Sequence, residues 1–272
     1  MNLRPAHFFA KRKPGRWQPA RAVISAFAFL ALLIATPAGA ADLAHTVQVV
    51  KTSIVGIGTH LALRRPPMAL RGTGFVILDG LHVITNFHVI PKKLNSEDRE
   101  HLVIVIKDGQ TFSERDAQIV ALDPEHDLAL LKMRGKPLIS LKLGSGALLL
   151  DGSEIAITGF PIGNILGIYP VTHRGIVSAI TPVRIPQVDA RLLDANMIMR
   201  QPFDVYQLDI TSFPGNSGSP VYDSDTGTVE AILNSTFIKE TKERALSDPS
   251  GISFAIPVVY VHLLLRKAGL EQ

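Results

Sequence analysis

Apolar residues in this chain come in short runs broken by turn-forming residues, the pattern of a protein built from many brief strands. Residues 47–57 are rich in β-branched side chains, and the apolar runs 74–78 and 81–85 flank Asp79-Gly80. A third run, 102–107, leads into Asp108-Gly109. Asp-Gly tolerates the positive φ angles of a tight turn, so both places predict hairpins. Further strand-like runs cover 117–122, 128–133, 154–158, 171–180, 205–210, 228–234 and 252–256. The long helices that alternate with strands in an α/β sheet are missing, which makes the reading all-β, a barrel or a sandwich. Only 258–267 reads as a helix. The glycine-rich stretch 144–152 marks a seam between two halves, 41–148 and 149–272, and 183–202, which has no clear period, reads as a long surface excursion.

The first 40 residues stand apart from this pattern. They hold Arg4, Lys11, Arg12, Lys13, Arg16 and Arg21 with no acid, then the apolar run 22–35, then Ala38-Gly39-Ala40. A basic start, an apolar middle and small residues at the end make a secretory signal peptide, so 1–40 is expected to be removed and to leave no stable membrane span. Removing it changes the charge. The chain has 28 basic and 24 acidic residues, and with those six basic residues gone 22 face 24, a net of −2. The apparent basicity therefore does not point to nucleic acid. Cysteine is absent, which excludes disulfides, thiol catalysis and cysteine-bound zinc. Export without disulfides suits a periplasm, with secretion beyond it equally compatible.

Candidate chemistry gathers around Gly215-Asn-Ser-Gly-Ser-Pro220. A serine hydroxyl needs a base to take its proton and donors for the oxyanion that forms. Ser217 is the candidate nucleophile. The flanking glycines let the backbone turn sharply, so the N–H groups of Gly215 and Ser217 could converge on one developing charge. Alone, the stretch is also what an ordinary loop looks like. Among nine histidines, His88 differs because it follows strand 81–85 in Thr85-Asn-Phe-His88, where a strand end can hold an imidazole beside a cleft. Asp127, where the polar turn 123–127 enters an apolar strand, could accept the Nδ1 hydrogen of His88, with Asp123 and Glu125 as rivals. No His-Glu-x-x-His is present, and Glu125-His126-Asp127 would splay on a strand, so no metal or cofactor is expected. The chain order His88, Asp127, Ser217 is that of the chymotrypsin-like triad, not of an α/β-hydrolase.

Seven collinear pieces carry a resemblance: 72–77, 83–89, 123–132, 159–163, 174–179, 215–220 and 251–257. Together they make the chain similar to the trypsin-like serine peptidases of the HtrA/DegP type. The resemblance implies two six-stranded antiparallel β-barrels with the site between them and a short C-terminal helix. It also implies His88 as general base, Asp127 as its orienter, Ser217 as nucleophile, and the N–H groups of Gly215 and Ser217 as the oxyanion hole. Thr211, Ser212, Leu233, Asn234, Ser235 and Thr236 would line the substrate pocket; none is charged, so a small or medium apolar residue before the cleaved bond is expected.

The pattern departs from the family in places. The chain stops after one short helix, which leaves no room for the PDZ domain that usually follows. Ser219 stands where HtrA sequences usually have glycine and looks more like the secreted glutamyl endopeptidases, yet Leu233 is not the histidine those enzymes use for glutamate. Phe213-Pro214 before Gly215 is unusual and could stiffen the oxyanion loop. The short N-terminal segment leaves an oligomer possible but unsupported. The expected function is an exported serine endopeptidase acting on unfolded polypeptides. The alternative is an inactive protease-fold protein that binds other chains or acts as a chaperone, with Phe213-Pro214 holding the loop in an unproductive shape.

Overall fold

The structure, a computed structural model, describes residues 43–109, 111–161, 169–183, 202–234 and 251–270. The expected leader, 1–40, lies outside the described residues, as do 184–201 of the expected excursion and the pocket candidates Ser235 and Thr236. Residues 41–272 form one compact unit. Among the described residues, no helix is long and apolar enough to cross a membrane.

Among the described residues, twelve strands close into two barrels. The first contains β1 (Ile54–His60), β2 (Met68–Ile77), β3 (His82–Asn86), β4 (His101–Asp108), β5 (Thr111–Asp123) and β6 (Leu128–Met133), in the closed order β1-β2-β3-β6-β5-β4. The second contains β7 (Glu154–Gly159), β8 (Val171–Val183), β9 (Phe203–Asp209), β10 (Pro220–Asp223), β11 (Val229–Asn234) and β12 (Ile252–Pro257), in the order β10-β11-β12-β9-β8-β7. Neighbouring strands run antiparallel throughout. The expected hairpin turns are present, with Gly80 at φ +79° and Gly109 at φ +60°.

Side chains alternate faces along a strand, and both faces of several strands are buried here. On one face Val76, Val83 and Leu131 fill the first barrel, and Ala231 and Leu233 fill the second. On the other, Phe75, Ile84 and Leu130 meet Phe160, Tyr222 and Ile232 in a shared layer between the barrels. Two buried faces explain why these strands read as unbroken apolar runs. The shared layer also fixes the barrels against each other, because each contributes aromatic and branched side chains to one core.

The start of the chain corrects the strand expected over 47–57. Residues Leu43–Lys51 form a helix, α1, and β1 begins only at Ile54. Its valines favour strands, but only Thr46 and Val50 are buried. The Thr46 hydroxyl donates to the Asp225 carbonyl (3.1 Å), docking the helix on the second barrel. Tertiary contact here overrides β propensity.

The expected C-terminal helix, α2 (Val258–Lys267), buries Val258, Val261, Leu264 and Leu265 in the shared layer. From α2, Tyr260 stacks on His126 of the first barrel with centroids 4.2 Å apart, and Phe203 meets both rings edge-on. His126 Nδ1 lies 2.8 Å from Asp123 Oδ2. Asp123, a rival for the catalytic acid, is therefore committed to this latch. Burial pushes its carboxyl up, but the hydrogen bond and charge of His126, its backbone N–H and Lys267 outweigh that and hold it below the ordinary value. A depressed carboxyl stabilises the fold above the unfolded-chain pKa, and that contribution is lost as pH falls through the folded one. Asp123→Asn is expected to cost about 1.5–3 kcal/mol at pH 7, and the gap from the parent should narrow as pH falls below about 4. Urea unfolding at pH 7 and pH 3 measures both.

Candidate active site

The acid is built first, by a turn. Asp127 closes the polar stretch between β5 and β6 with φ +53°, a left-handed conformation that costs a non-glycine residue energy. Its carbonyl is held by Phe87 N–H (3.0 Å) and Asn86 Nδ2 (3.1 Å). Its carboxylate points back across the same junction. Oδ1 accepts His88 N–H at 2.8 Å, and Oδ2 lies 2.6 Å from His88 Nδ1. Asp127 is buried (side chain 4% exposed), whereas the His88 side chain is 26% exposed.

A carboxylate can only accept, so Nδ1 carries the imidazole proton. Nε2 is then the basic nitrogen, on the ring's other side. Of the rivals, Asp123 is paired with His126, and Glu125 is exposed with its backbone N–H donated to Asp123 Oδ1 (3.1 Å).

A third donor reaches the same carboxylate. Asn234, at the end of β11 in the second barrel, donates through Nδ2 to Asp127 Oδ2 at 2.7 Å. Asn234, expected to line the pocket, is 1% exposed and gives its amide to this carboxylate. Leu233, also expected on the pocket wall, is fully buried inside the second barrel. One residue's shift along a strand reverses the face, so Leu233 points into the barrel and Asn234 out toward the first one. The signal in the sequence was a buried-strand run ending in an amide, a polar group that must find a partner.

The serine loop is two overlapping turns. Asn216 N–H donates to the Phe213 carbonyl (3.0 Å) around Pro214 and Gly215, and Gly215 has φ +98°. Ser219 N–H donates to the Asn216 carbonyl (3.0 Å) around Ser217 and Gly218, and Gly218 has φ +87°. Both are type II turns, and Pro-Gly is the pair that type prefers. Phe213 and Pro214 thus occupy the first two positions of the first turn. The loop's second turn places Ser217 at a bend, and the Asn216 carbonyl, taken by Ser219, aims the Ser217 N–H the opposite way. Among the described residues, none accepts the Gly215 N–H.

Three contacts bring this loop to the His88–Asp127 pair. Ser217's carbonyl accepts Thr73 N–H of β2 at 2.9 Å, and Gly218 N–H donates to the Leu233 carbonyl at 3.0 Å, one residue before Asn234. Gly72 is the crossing point. A Cβ there would lie 2.7 Å from Val89, the neighbour of His88, and 3.0 Å from the Ser217 carbonyl. The serine loop and the turn carrying His88 therefore close on the two sides of one glycine. Of the other pocket candidates, Thr211 is half-buried, and Ser212 Oγ is buried 2.9 Å from Ser253 Oγ. Both follow β9 on the approach to the serine loop.

The trypsin-like peptidase domain model matches residues 72–232. The probable periplasmic serine endoprotease DegP-like of Chlamydia muridarum is 31% identical over 219 residues, covering 80% of this chain and 37% of the relative. The mitochondrial serine protease HTRA2 of Drosophila grimshawi is 32% identical over 209 residues, covering 76% of this chain and 41% of that protein. The chain thus spans little more than a third of the length of these curated relatives. A solved HtrA-type protease with tripeptide is similar over 85% of this chain and 64% of its own, with a TM-score of 0.58 at 25% identity.

The geometry makes the loop intolerant of bulk. At Gly218 a Cβ would lie 2.1 Å from the Thr73 carbonyl oxygen and 2.4 Å from Thr85 Oγ1, at a φ that L side chains avoid. Gly218→Ala is expected to lower stability by about 2–4 kcal/mol, the left-handed cost adding to the overlap. Chemical denaturation checks it.

Proposed function

The chain belongs to the trypsin-like serine peptidases of the HtrA/DegP type, and from that membership we propose that it is an exported endopeptidase that cleaves unfolded polypeptides through Ser217, His88 and Asp127. The observation that carries the proposal is the buried Asp127 carboxylate holding both the backbone and the Nδ1 of His88, which leaves Nε2 as the base. In this reading residues 1–40 are the export leader and 41–148 and 149–272 the two halves. The names of the bacterial relatives support a periplasmic address.

His88 Nε2 takes the Ser217 proton as Oγ attacks the peptide carbonyl. Asp127 keeps the imidazole in the tautomer that can do this and stabilises the imidazolium. The oxyanion is held by the N–H groups of Gly215 and Ser217. His88 then protonates the leaving amine, and water, activated by the same nitrogen, releases the acyl group from Ser217. Thr211 and Ser212 line the approach to the pocket. Neither carries a charge to pair with a charged side chain, which favours a small or medium apolar residue before the scissile bond.

The test compares parent and variants on unfolded casein and with a fluorophosphonate probe. Ser217→Ala should lose the probe adduct entirely and lower cleavage by about 10⁴–10⁶-fold. Asp127→Asn should lower kcat by roughly 10⁴-fold, since the amide favours the wrong tautomer. A folded parent that never takes the probe between pH 6 and 9 would establish the inactive, chain-binding alternative instead.

A further inference from the structure

The proposed reaction draws its base from one barrel and its nucleophile and oxyanion donors from the other. Their separation must hold to a fraction of an ångström, because a misplacement of about 1 Å costs roughly 100-fold in rate. The shared apolar layer sets the barrels' overall placement, but side chains that interdigitate are not directional. Two directional contacts tie the serine loop to a single residue of the first barrel, Thr73.

Thr73 lies in β2 and is fully buried. Its N–H donates to the Ser217 carbonyl (2.9 Å), and its hydroxyl donates to the Gly215 carbonyl (2.7 Å). The same Oγ1 accepts the Phe160 N–H (3.0 Å) just beyond β7. Its own carbonyl accepts the Thr85 hydroxyl (2.7 Å), from β3 three residues before His88. One residue therefore joins the base's strand, the serine loop and the end of β7.

The pattern of bonds along the loop is specific. The peptide between Gly215 and Asn216 is held at both ends, its N–H by Phe213 and its carbonyl by the Thr73 hydroxyl. The peptide between Ser217 and Gly218 is also held at both ends, its N–H by Leu233 and its carbonyl by the Thr73 N–H. These two alternate with the peptides that present the Gly215 and Ser217 N–H groups. Any residue at 73 except proline supplies the N–H bond. The hydroxyl bond needs threonine or serine.

We propose that Thr73 is a positioning residue, and that its hydroxyl, bonded to the Gly215 carbonyl, registers the oxyanion donors of the second barrel against the base of the first. This rests on the peptidase reading of the site. Neither atom of Thr73 touches substrate in it. What the hydroxyl supplies is a fixed place for the Pro214-Gly215 turn, whose glycine would otherwise let the loop drift.

The test uses Thr73→Val, which keeps the shape and loses the hydroxyl, beside Thr73→Ser, which keeps the hydroxyl and loses the methyl. Thr73→Val is expected to lower kcat and the rate of fluorophosphonate labelling together by about 10–100-fold, with KM changed by less than about threefold. The acid limb of its pH profile should match the parent's, since the His88–Asp127 pair is untouched. Thr73→Ser should stay within about threefold of the parent and, folding whether or not the valine variant does, decides between hydroxyl and bulk. A serine variant as slow as the valine one, or a folded valine variant that labels at the parental rate, overturns the proposal.

A second readout separates this from failure of the peptidase reading. In a Ser217→Ala background, amide hydrogen exchange over 213–219 should quicken in Thr73→Val and not in Thr73→Ser. A parent that takes no probe refutes the peptidase reading alone. Unchanged exchange in Thr73→Val refutes the role of Thr73 whether or not the parent is active.

Discussion

The site depends on one buried carboxylate that accepts three donors. Asp127 takes the backbone N–H and Nδ1 of His88 from its own barrel and Nδ2 of Asn234 from the other. An ionised carboxylate out of water is costly unless its lone pairs are filled, and here they are filled by groups that also need fixing. The left-handed φ of +53° at Asp127 is the cost of the arrangement. It is sustained because the Asp127 carbonyl is bonded as firmly as the side chain, to Phe87 and Asn86. Filling the third position from Asn234 makes Asp127 a joint between barrels as well as a partner of His88.

The serine loop is controlled from the opposite direction. Its conformation is local, two type II turns written by Pro214-Gly215 and Ser217-Gly218, while its location is set by Thr73, Leu233 and the close approach at Gly72. Local turn chemistry determines which way each peptide faces; distant hydrogen bonds determine where the loop stands. Separating those tasks lets the loop be rigid without being packed from all sides.

Much of this was legible from residues alone. Paired Asp-Gly turns and apolar runs pointed to strands, and the order of His88, Asp127 and Ser217 with the collinear motifs pointed to two barrels. What the pattern hid has physical causes. The α1 helix carries strand-favouring valines, and only its docking through Thr46 shows why it coils. Strand β10 (Pro220–Asp223) is too short to give an alternation and begins at a proline. Leu233 and Asn234 are neighbours in sequence, but the strand turns one into the barrel and the other toward Asp127, a split that the apolar run does not display. Thr73 carried no signal beyond its place in a motif, because its role is made by partners at 85, 160, 215 and 217.

Asp79–His82, Asp123–His126 and Asp127–His88 show why residue types could not select the base unaided. In all three an aspartate oxygen lies near a histidine Nδ1, at 2.7, 2.8 and 2.6 Å. The hydrogen bond is nearly constant; the surroundings are not. His82 is buried with a side chain 5% exposed, and His126, 13% exposed, is stacked on Tyr260 and edged by Phe203. His88 alone of the three combines a buried acid with a ring 26% exposed. The first two pairs are three residues apart in sequence and tie a turn to itself, whereas Asp127 reaches His88 across 39 residues and joins β6 to the end of β3. An aspartate beside a histidine is therefore a structural tie by default. The proposed catalytic pair differs in that the topology buries its acid while the imidazole stays part-exposed.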